Sequence, residues 1–220
     1  MSTHTIAVIG GTGPQGRGLA RWLAAAGHKV VLGSRSAARA EEAARAIGQR
    51  VGVEVLGDDN LSAATAADVV LVVVPWDGHR ELVQALAPGL AGKIVVSCVN
   101  PLGFDKNGAF GLLVDEGSAA QQTQQLVPTA RVVGAFHHLS AVTLWESEDQ
   151  LQHEDVLVCG DDRDAKDVVA DLAAAVTGHR GVDGGALRVA AQLEPLTAVL
   201  ININRRYKTR SGVAIQGIKR

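Results

Sequence analysis

Aromatic residues are scarce in this chain of 220 residues: three tryptophans, three phenylalanines and one tyrosine. That excludes a core or a ligand cage built mainly from rings. Cysteine is scarcer still. Cys98 and Cys159 stand far apart and give neither a disulfide framework nor a zinc cluster, so a reducing, cytoplasmic setting is expected. No charge of one sign dominates: 21 basic against 23 acidic residues leave a formal net charge of −2, which argues against a nucleic-acid binder. No apolar run approaches the roughly 18 residues of a membrane-spanning helix, and Met1-Ser2-Thr3-His4-Thr5 lacks the charged start of a signal peptide. His79, His137, His138 and His153 show no ligand spacing with thiols or carboxylates, so no metal site is expected.

What the chain does have is 47% apolar residues, enough for a packed core. Short β-branched runs alternate with Ala-rich stretches. Strands are predicted at Thr5–Ile9, Lys29–Leu32, Val51–Leu56, Val69–Val74, Lys93–Ser97, Arg131–Val133 and Asp155–Val158. Helices are predicted at Gln15–Ala26, Ala37–Gly48, Leu61–Ala66, Gly78–Ala87, Ser118–Leu126 and Arg163–Val176, with stops at Gly27 and Gly48 and an N-cap at Asp162. Asp58 and Asp59 read as another helix-start pair. The alternation specifies an α/β fold: a Rossmann-type, doubly wound, mostly parallel sheet. Two regions break the rhythm. Asn100–Gly117 is too long for a routine turn and is expected to be a binding loop or lid. After Gly181–Gly185 the chain reads as one helix, Ala186–Arg206. The expected division is a nucleotide-binding domain over 1–180 and a small C-terminal helical segment over 181–220.

Gly11-Thr12-Gly13-Pro14-Gln15-Gly16 matches G-x-G-x-x-G between the first strand and the first helix, the context of a dinucleotide site. The first glycine permits a tight turn, the second a close approach of backbone to a pyrophosphate, and the third close helix packing, with the helix N-terminus facing the anion. At the end of the second strand an NAD site usually carries a carboxylate for the ribose. Here stand Ser34 and Arg35, with Arg39 one helical turn on. These can hydrogen-bond and neutralise a 2′-phosphate, so NADP(H) is expected. Ligands bind beyond the carboxyl ends of parallel strands. This places Val74, Pro75 and Trp76, then Asn100, then Ala135 with His137 and His138, around the nicotinamide. Trp76 is either a flat wall for a second ring system or plain packing.

Acid–base equipment is sparse. The only tyrosine, Tyr207, is followed four residues later by Ser211, so the Tyr-x-x-x-Lys pair of short-chain reductases is missing. His137 or His138 could act on a carbonyl, but no partner carboxylate is evident. Such a site suits hydride transfer to another ring cofactor, where positioning does most of the work.

Taken together, Gly10-Gly11-Thr12-Gly13, Gly33-Ser34-Arg35, Pro75-Trp76, Phe136-His137-His138, Cys159-Gly160-Asp161-Asp162, Pro195-Leu196-Thr197 and Gly217-Ile218-Lys219 resemble the NADPH-dependent reductases of coenzyme F420 over nearly the whole chain. The resemblance implies reversible hydride transfer between NADPH C4 and C5 of an 8-hydroxy-5-deazaflavin. It implies that Thr12 to Gln15 hold the pyrophosphate and that Ser34, Arg35 and Arg39 hold the 2′-phosphate. Trp76, Asn100, His137, Ala141 and Gln216 would lie around the stacked rings, and a homodimer would form through the C-terminal helix. Arg39 stands where some members have lysine, which keeps the charge. His137 would either donate a hydrogen bond to charge developing on the deazaflavin or be satisfied by backbone at a strand end. Thr197 would bond either a ligand or its own helical turn. The basic stretch Arg205–Arg220 would meet an anionic coenzyme tail or simply face water. Two alternatives remain at this level: an NADPH-dependent flavin or ferric reductase, and a non-catalytic NADP(H) sensor.

Overall fold

The computed structural model describes residues 3–218; Lys219, from the Gly217-Ile218-Lys219 ending, lies outside them. Strand and helix alternate as β1 (Thr5–Ile9), α1 (Pro14–Ala25), β2 (Lys29–Ser34), α2 (Ala37–Val51), β3 (Leu56–Asp59), α3 (Asn60–Ala66), β4 (Val69–Val72), α4 (His79–Leu90) and β5 (Ile94–Ser97). Then follow β6 (Leu102–Asp105), β7 (Gly108–Gly111), α5 (Ala119–Leu126), β8 (Arg131–Gly134), α6 (Ala141–Glu146) and β9 (Leu157–Gly160). The chain closes with α7 (Arg163–Thr177), β10 (Val182–Gly185), a 3-10 turn at Leu187–Val189, and α8 (Ala190–Tyr207).

Eight strands form one sheet in the order β10-β9-β8-β5-β4-β1-β2-β3. It is parallel from β3 to β8, then reverses: β9 runs antiparallel to β8, and β10 parallel to β9. The Rossmann-type expectation is met. Successive residues of a strand face opposite sides, and β1 shows why both sides must be apolar. Ile6 and Val8 join one core with Leu19, Leu23, Ile47 and Leu172, while Ala7 and Ile9 join the other with Val83, Leu86, Leu90 and Leu193. Helices α1, α2 and α7 thus cover one face, and α3, α4, α5 and α8 the other.

Several local expectations need correction. The third strand is Leu56–Asp59, not Val51–Leu56, because α2 continues past Gly48 to Val51 and stops at Gly52, whose φ is +74°. Gly48 works inside the helix, where a Cβ would lie 2.8 Å from the Val53 carbonyl. Gly57 in β3 leaves room for the α2 backbone at Ala40 and Glu41. Asp58 and Asp59 have poor strand propensity, yet the β2 register (Gly33↔Asp58, Ser34↔Asp59) holds them. Asp59 also caps α3, its Oδ1 accepting from Leu61 N–H and Ser62 N–H, both at 2.9 Å.

The Asn100–Gly117 connection is not an irregular loop throughout. It holds the β6–β7 hairpin, which lies on α8: Asn202 accepts from Ala109 N–H (2.9 Å) and donates to its carbonyl (2.8 Å), the pairing of one more strand residue. The Ala186–Arg206 helix is divided by geometry into the 3-10 turn and α8, and Val182–Gly185 adds a strand to the main sheet. A further helix, α6, is fixed on α1. Gly18 gives space to Leu144, whose carbonyl accepts from Trp22 Nε1 at 2.9 Å, and Arg21 donates to the Trp145 and Ser147 carbonyls.

Candidate functional site

A cleft of about 460 Å³ opens at the carboxyl ends of β1 and β4. This is where strand order reverses and doubly wound sheets bind their ligands. Its floor is the glycine loop. Gly10, at φ +76°, makes the tight turn that the sequence assigned to Gly11. Gly11 is instead squeezed between strands: its N–H faces the Val8 and Gly33 carbonyls, and a Cβ would lie 2.7 Å from Val8 O. Gly16 has the expected role, since a Cβ there would lie 2.7 Å from Gly10 O and 2.9 Å from Gly11 Cα. Helix α1 starts at Pro14 with neither a side-chain cap nor an acidic residue in its first turn. The first N–H groups of a helix have no partner within it, so those of Gln15 and Gly16 are available to an anion at the positive end of the helix. Thr12, Gly13, Pro14, Gln15 and Gly16 all line the cleft.

At the far end of β2, Ser34 and Arg35 line the same cleft, whereas Arg39 is exposed one turn into α2, outside its lining. Among the described residues no ion pair engages Arg35 or Arg39. Asp59, across from Ser34, does not spoil this positive end, because its carboxylate is turned onto the start of α3, and these hydrogen bonds hold it below the usual carboxylate range. Sequence reasoning missed Asn60. It lines the cleft beside Gly33, and its Oδ1 is buried without a hydrogen-bond partner. Its position just after a strand that pairs with β2 was the available signal, hidden by the misplaced third strand.

The other end of the cleft is formed by Val74, Pro75, Asp77, Gly78 and Leu82. Trp76 sits between these residues but turns its indole onto the His79 ring, 5.4 Å between centroids. Beyond lie the ends of β5 and β8. Phe136 is fully buried at φ +63°, an uncommon conformation for a bulky residue. Side chains from three elements hold this turn. Gln15 Nε2 donates to Phe136 O (2.8 Å), while Asn100 Nδ2 and Thr197 Oγ1 both donate to His137 O (2.9 Å each). Gln15 therefore faces the protein with its side chain and the anion site only with its backbone. Thr197 Oγ1 thus donates across the chain rather than within its own turn.

His137 is 1% exposed, and neither ring nitrogen makes a hydrogen bond of good geometry. Burial first, and the neighbouring His138 second, push its pKa down to about 3 against a smaller opposing influence of the Ser97 carbonyl, so the ring is neutral. His138 is lowered by burial as well, and its Nε2 contacts the Asp155 carbonyl at 2.6 Å. Ser97 Oγ and Asn100 Oδ1 are buried and unpaired too. Buried polar atoms normally find partners, so this group at two adjacent strand ends fits a polar ring system. Ala135 is fully buried behind it, Ala141 opens α6, and Gln216 is exposed in the C-terminal tail. None of the three lines the main cleft. Cys98 and Cys159 lie buried under these strand ends, and burial raises both thiols, Cys159 to about 12.

Comparison with known proteins gives this geometry a family. Residues 5–101 match the family described as NADP oxidoreductase, coenzyme F420-dependent. The F420-dependent NADP reductase of Methanocaldococcus jannaschii is 38% identical over 223 residues, covering 97% of this chain and 99% of that protein. The chain belongs to the F420-dependent NADP reductase family. Among solved structures of similar fold is a protein of Arthrobacter sp. FB24, provisionally named as an F420-dependent NADP reductase. It has a TM-score of 0.79 and 30% identity, covering 96% of this chain and all of that one. The metalloreductase STEAP3 of Rattus norvegicus is 31% identical over 191 residues, but the match covers only 36% of that protein. Family membership thus accounts for nearly the whole length of this chain, from the glycine loop to α8.

Proposed function

We propose that this protein transfers hydride reversibly between NADP(H) and the deazaflavin coenzyme F420, as a cytoplasmic homodimer. One observation supports this reading above the rest. A phosphate-binding loop and the uncommitted Arg35 line one cleft, with Arg39 exposed just outside it, and a cluster of buried, unpaired, uncharged polar groups lies beyond its other end. The loop from Thr12 to Gln15 holds the pyrophosphate at the start of α1, where the Gln15 and Gly16 N–H groups are available to donate, and Ser34, Arg35 and Arg39 hold the 2′-phosphate. Val74, Pro75 and Trp76 border the nicotinamide, with Asn100, Ala135, His137, Ala141 and Gln216 around the deazaflavin. When bound, the two cofactors bring their reacting ring carbons together, and the chemistry is theirs.

The chain's own residues position and exclude water. His137, neutral, offers a hydrogen bond to charge developing on the acceptor ring without being a proton source at neutral pH. Asn100 and Thr197 hold that residue through its carbonyl. The homodimer is supported by exposed apolar side chains on the hairpin, just after it and on α8: Phe104, Leu113, Val199 and Tyr207. The test is anaerobic mixing of the protein with NADPH and oxidised coenzyme F420, followed by the visible absorbance of the coenzyme. Catalytic bleaching with NADPH, much slower with NADH, is the expected result. NADPH binding without bleaching in either direction would reject the deazaflavin and favour a flavin or ferric acceptor, or a sensor.

A further inference from the structure

One buried imidazole lies outside every role assigned so far. His79 opens α4 and is 1% exposed, yet all its polar atoms are engaged. Its Nδ1 lies 2.8 Å from Gln122 Oε1 and its Nε2 3.3 Å from Thr123 Oγ1, both on α5. An amide oxygen can only accept, so Nδ1 carries the proton and donates to Gln122, while Nε2 lies against the Thr123 hydroxyl, whose proton is shared with the Ala119 carbonyl at 3.0 Å. Gln122 is fixed in turn: its Nε2 donates to Glu116 Oε2, and Glu116 also pairs with Arg80. The imidazole plane is therefore set by α5. The Trp76 indole rests on that plane, 27° from parallel, and His79 N–H donates to the Trp76 carbonyl at 3.0 Å. Ring and backbone of Trp76 thus have the same anchor. Pro75 and Asp77, on either side of Trp76, both line the main cleft.

We infer that His79 is a positioning residue: held by Gln122 and Thr123, it sets the angle at which Trp76 presents its indole to the acceptor ring. This rests on the placement of Trp76 beside the deazaflavin proposed above. His79 touches neither cofactor. The β4–α4 loop turns at Gly78 (φ +78°), and Trp76, half-buried against the apolar core, has the His79 ring as the flat surface that fixes its indole angle. The stack restricts it before the substrate arrives, which lowers the cost of ordering on binding.

Three variants test this: Trp76→Ala, His79→Leu and His79→Phe, each assayed with NADPH and oxidised coenzyme F420. His79→Leu is expected to raise KM for F420 about three- to tenfold, the range of an aromatic pair. Its kcat should stay within about twofold, with unchanged NADPH affinity. The Trp76 emission, taken as the difference from a matching Trp76→Phe protein, should shift to longer wavelength. His79→Phe restores a flat ring but leaves Gln122 and Thr123 unpaired, so it should recover KM and emission while losing thermal stability; a purely structural histidine would not be rescued in this way. A folded His79→Leu protein with the parent KM, beside a Trp76→Ala protein with a raised one, would overturn the positioning role and leave the ring site standing. A parent KM in Trp76→Ala would remove Trp76 from the site and the inference with it. Should His79→Leu fail to fold, Gln122→Leu is read by the same KM criterion.

Discussion

Single side chains at the two ends of the cleft work in opposite electrostatic regimes. Arg35 and Arg39 are exposed to water with no carboxylate partner among the described residues, so their charge is available to a dianion. Charge-assisted hydrogen bonds are worth about 1.5–3 kcal/mol. Arg35→Glu with Arg39→Glu should therefore cost at least about tenfold in NADPH affinity and little for NADH, as read by nucleotide titration. His137 is the reverse case, a ring kept uncharged by burial. Its pKa of about 3 lies below the unfolded value near 6.5, so the unfolded chain takes up this proton first. Stability from this group is full above pH 6.5 and is lost as pH falls toward 3. A His137→Asn protein should show a shallower loss over that window in urea unfolding. For the same reason kcat/KM should show no limb near pH 6.5 from His137, and such a limb, absent in His137→Asn, would make it an acid–base group after all. Gly16→Ala places a methyl group against Gly10 and Gly11. A loss of about 1–3 kcal/mol is expected for such overpacking, together with weaker NADPH binding.

At the scale of elements, α8 decides how the end of the sheet is closed. Glu194 is 1% exposed, and its two oxygens accept from Ala119 N–H (2.8 Å) and Ala120 N–H (3.0 Å) at the start of α5. Burial outweighs these bonds and raises its pKa to about 7. The folded chain thus holds a proton here that the unfolded chain releases nearer 4.5, and stability declines as pH rises from about 4.5 to 7. Glu194→Gln should flatten that slope by an amount on the order of 2–3 kcal/mol, seen as a thermal midpoint that converges with or passes the parent at higher pH. One turn further along, Thr197 holds His137 in place, so α8 joins the α5 clamp to the crevice. The sequence made most of these elements readable, and the exceptions have physical causes. Unbroken apolar runs such as Ile6–Ile9 and Val69–Val72 are buried on both sides and announce themselves. The third strand did not, because Leu-Gly-Asp-Asp has no strand propensity and is selected by its neighbours. Helix α6 was missed because it is six residues long and held by carbonyl contacts to Arg21 and Trp22 on a distant helix.

For the whole molecule, the glycine loop and the Ser34–Arg35 end of the site were legible because local backbone geometry and charge write them into consecutive residues. The crevice was legible only in outline. Gln15, Asn100 and Thr197 converge on residues 136–137 from three parts of the chain, and no spacing reveals that. The proposed assembly belongs to this scale too. Phe104 is 68% exposed on the hairpin, Leu113 is fully exposed just after it, and Val199 is 52% exposed on α8. Burying such a patch is the expected use of a large exposed apolar surface. Phe104→Asp with Leu113→Asp should convert a dimer to a monomer in sedimentation velocity, with the main fold retained by circular dichroism. The burial of both thiols has a practical consequence of a different kind. A chain whose only cysteines are shielded and strongly protonated offers nothing to maleimides, alkylating agents or mild peroxide. Any cysteine introduced at the surface becomes its sole chemical handle, so one placed at Leu113 would report the proposed self-association as a covalent crosslink that appears or fails to appear on a non-reducing gel.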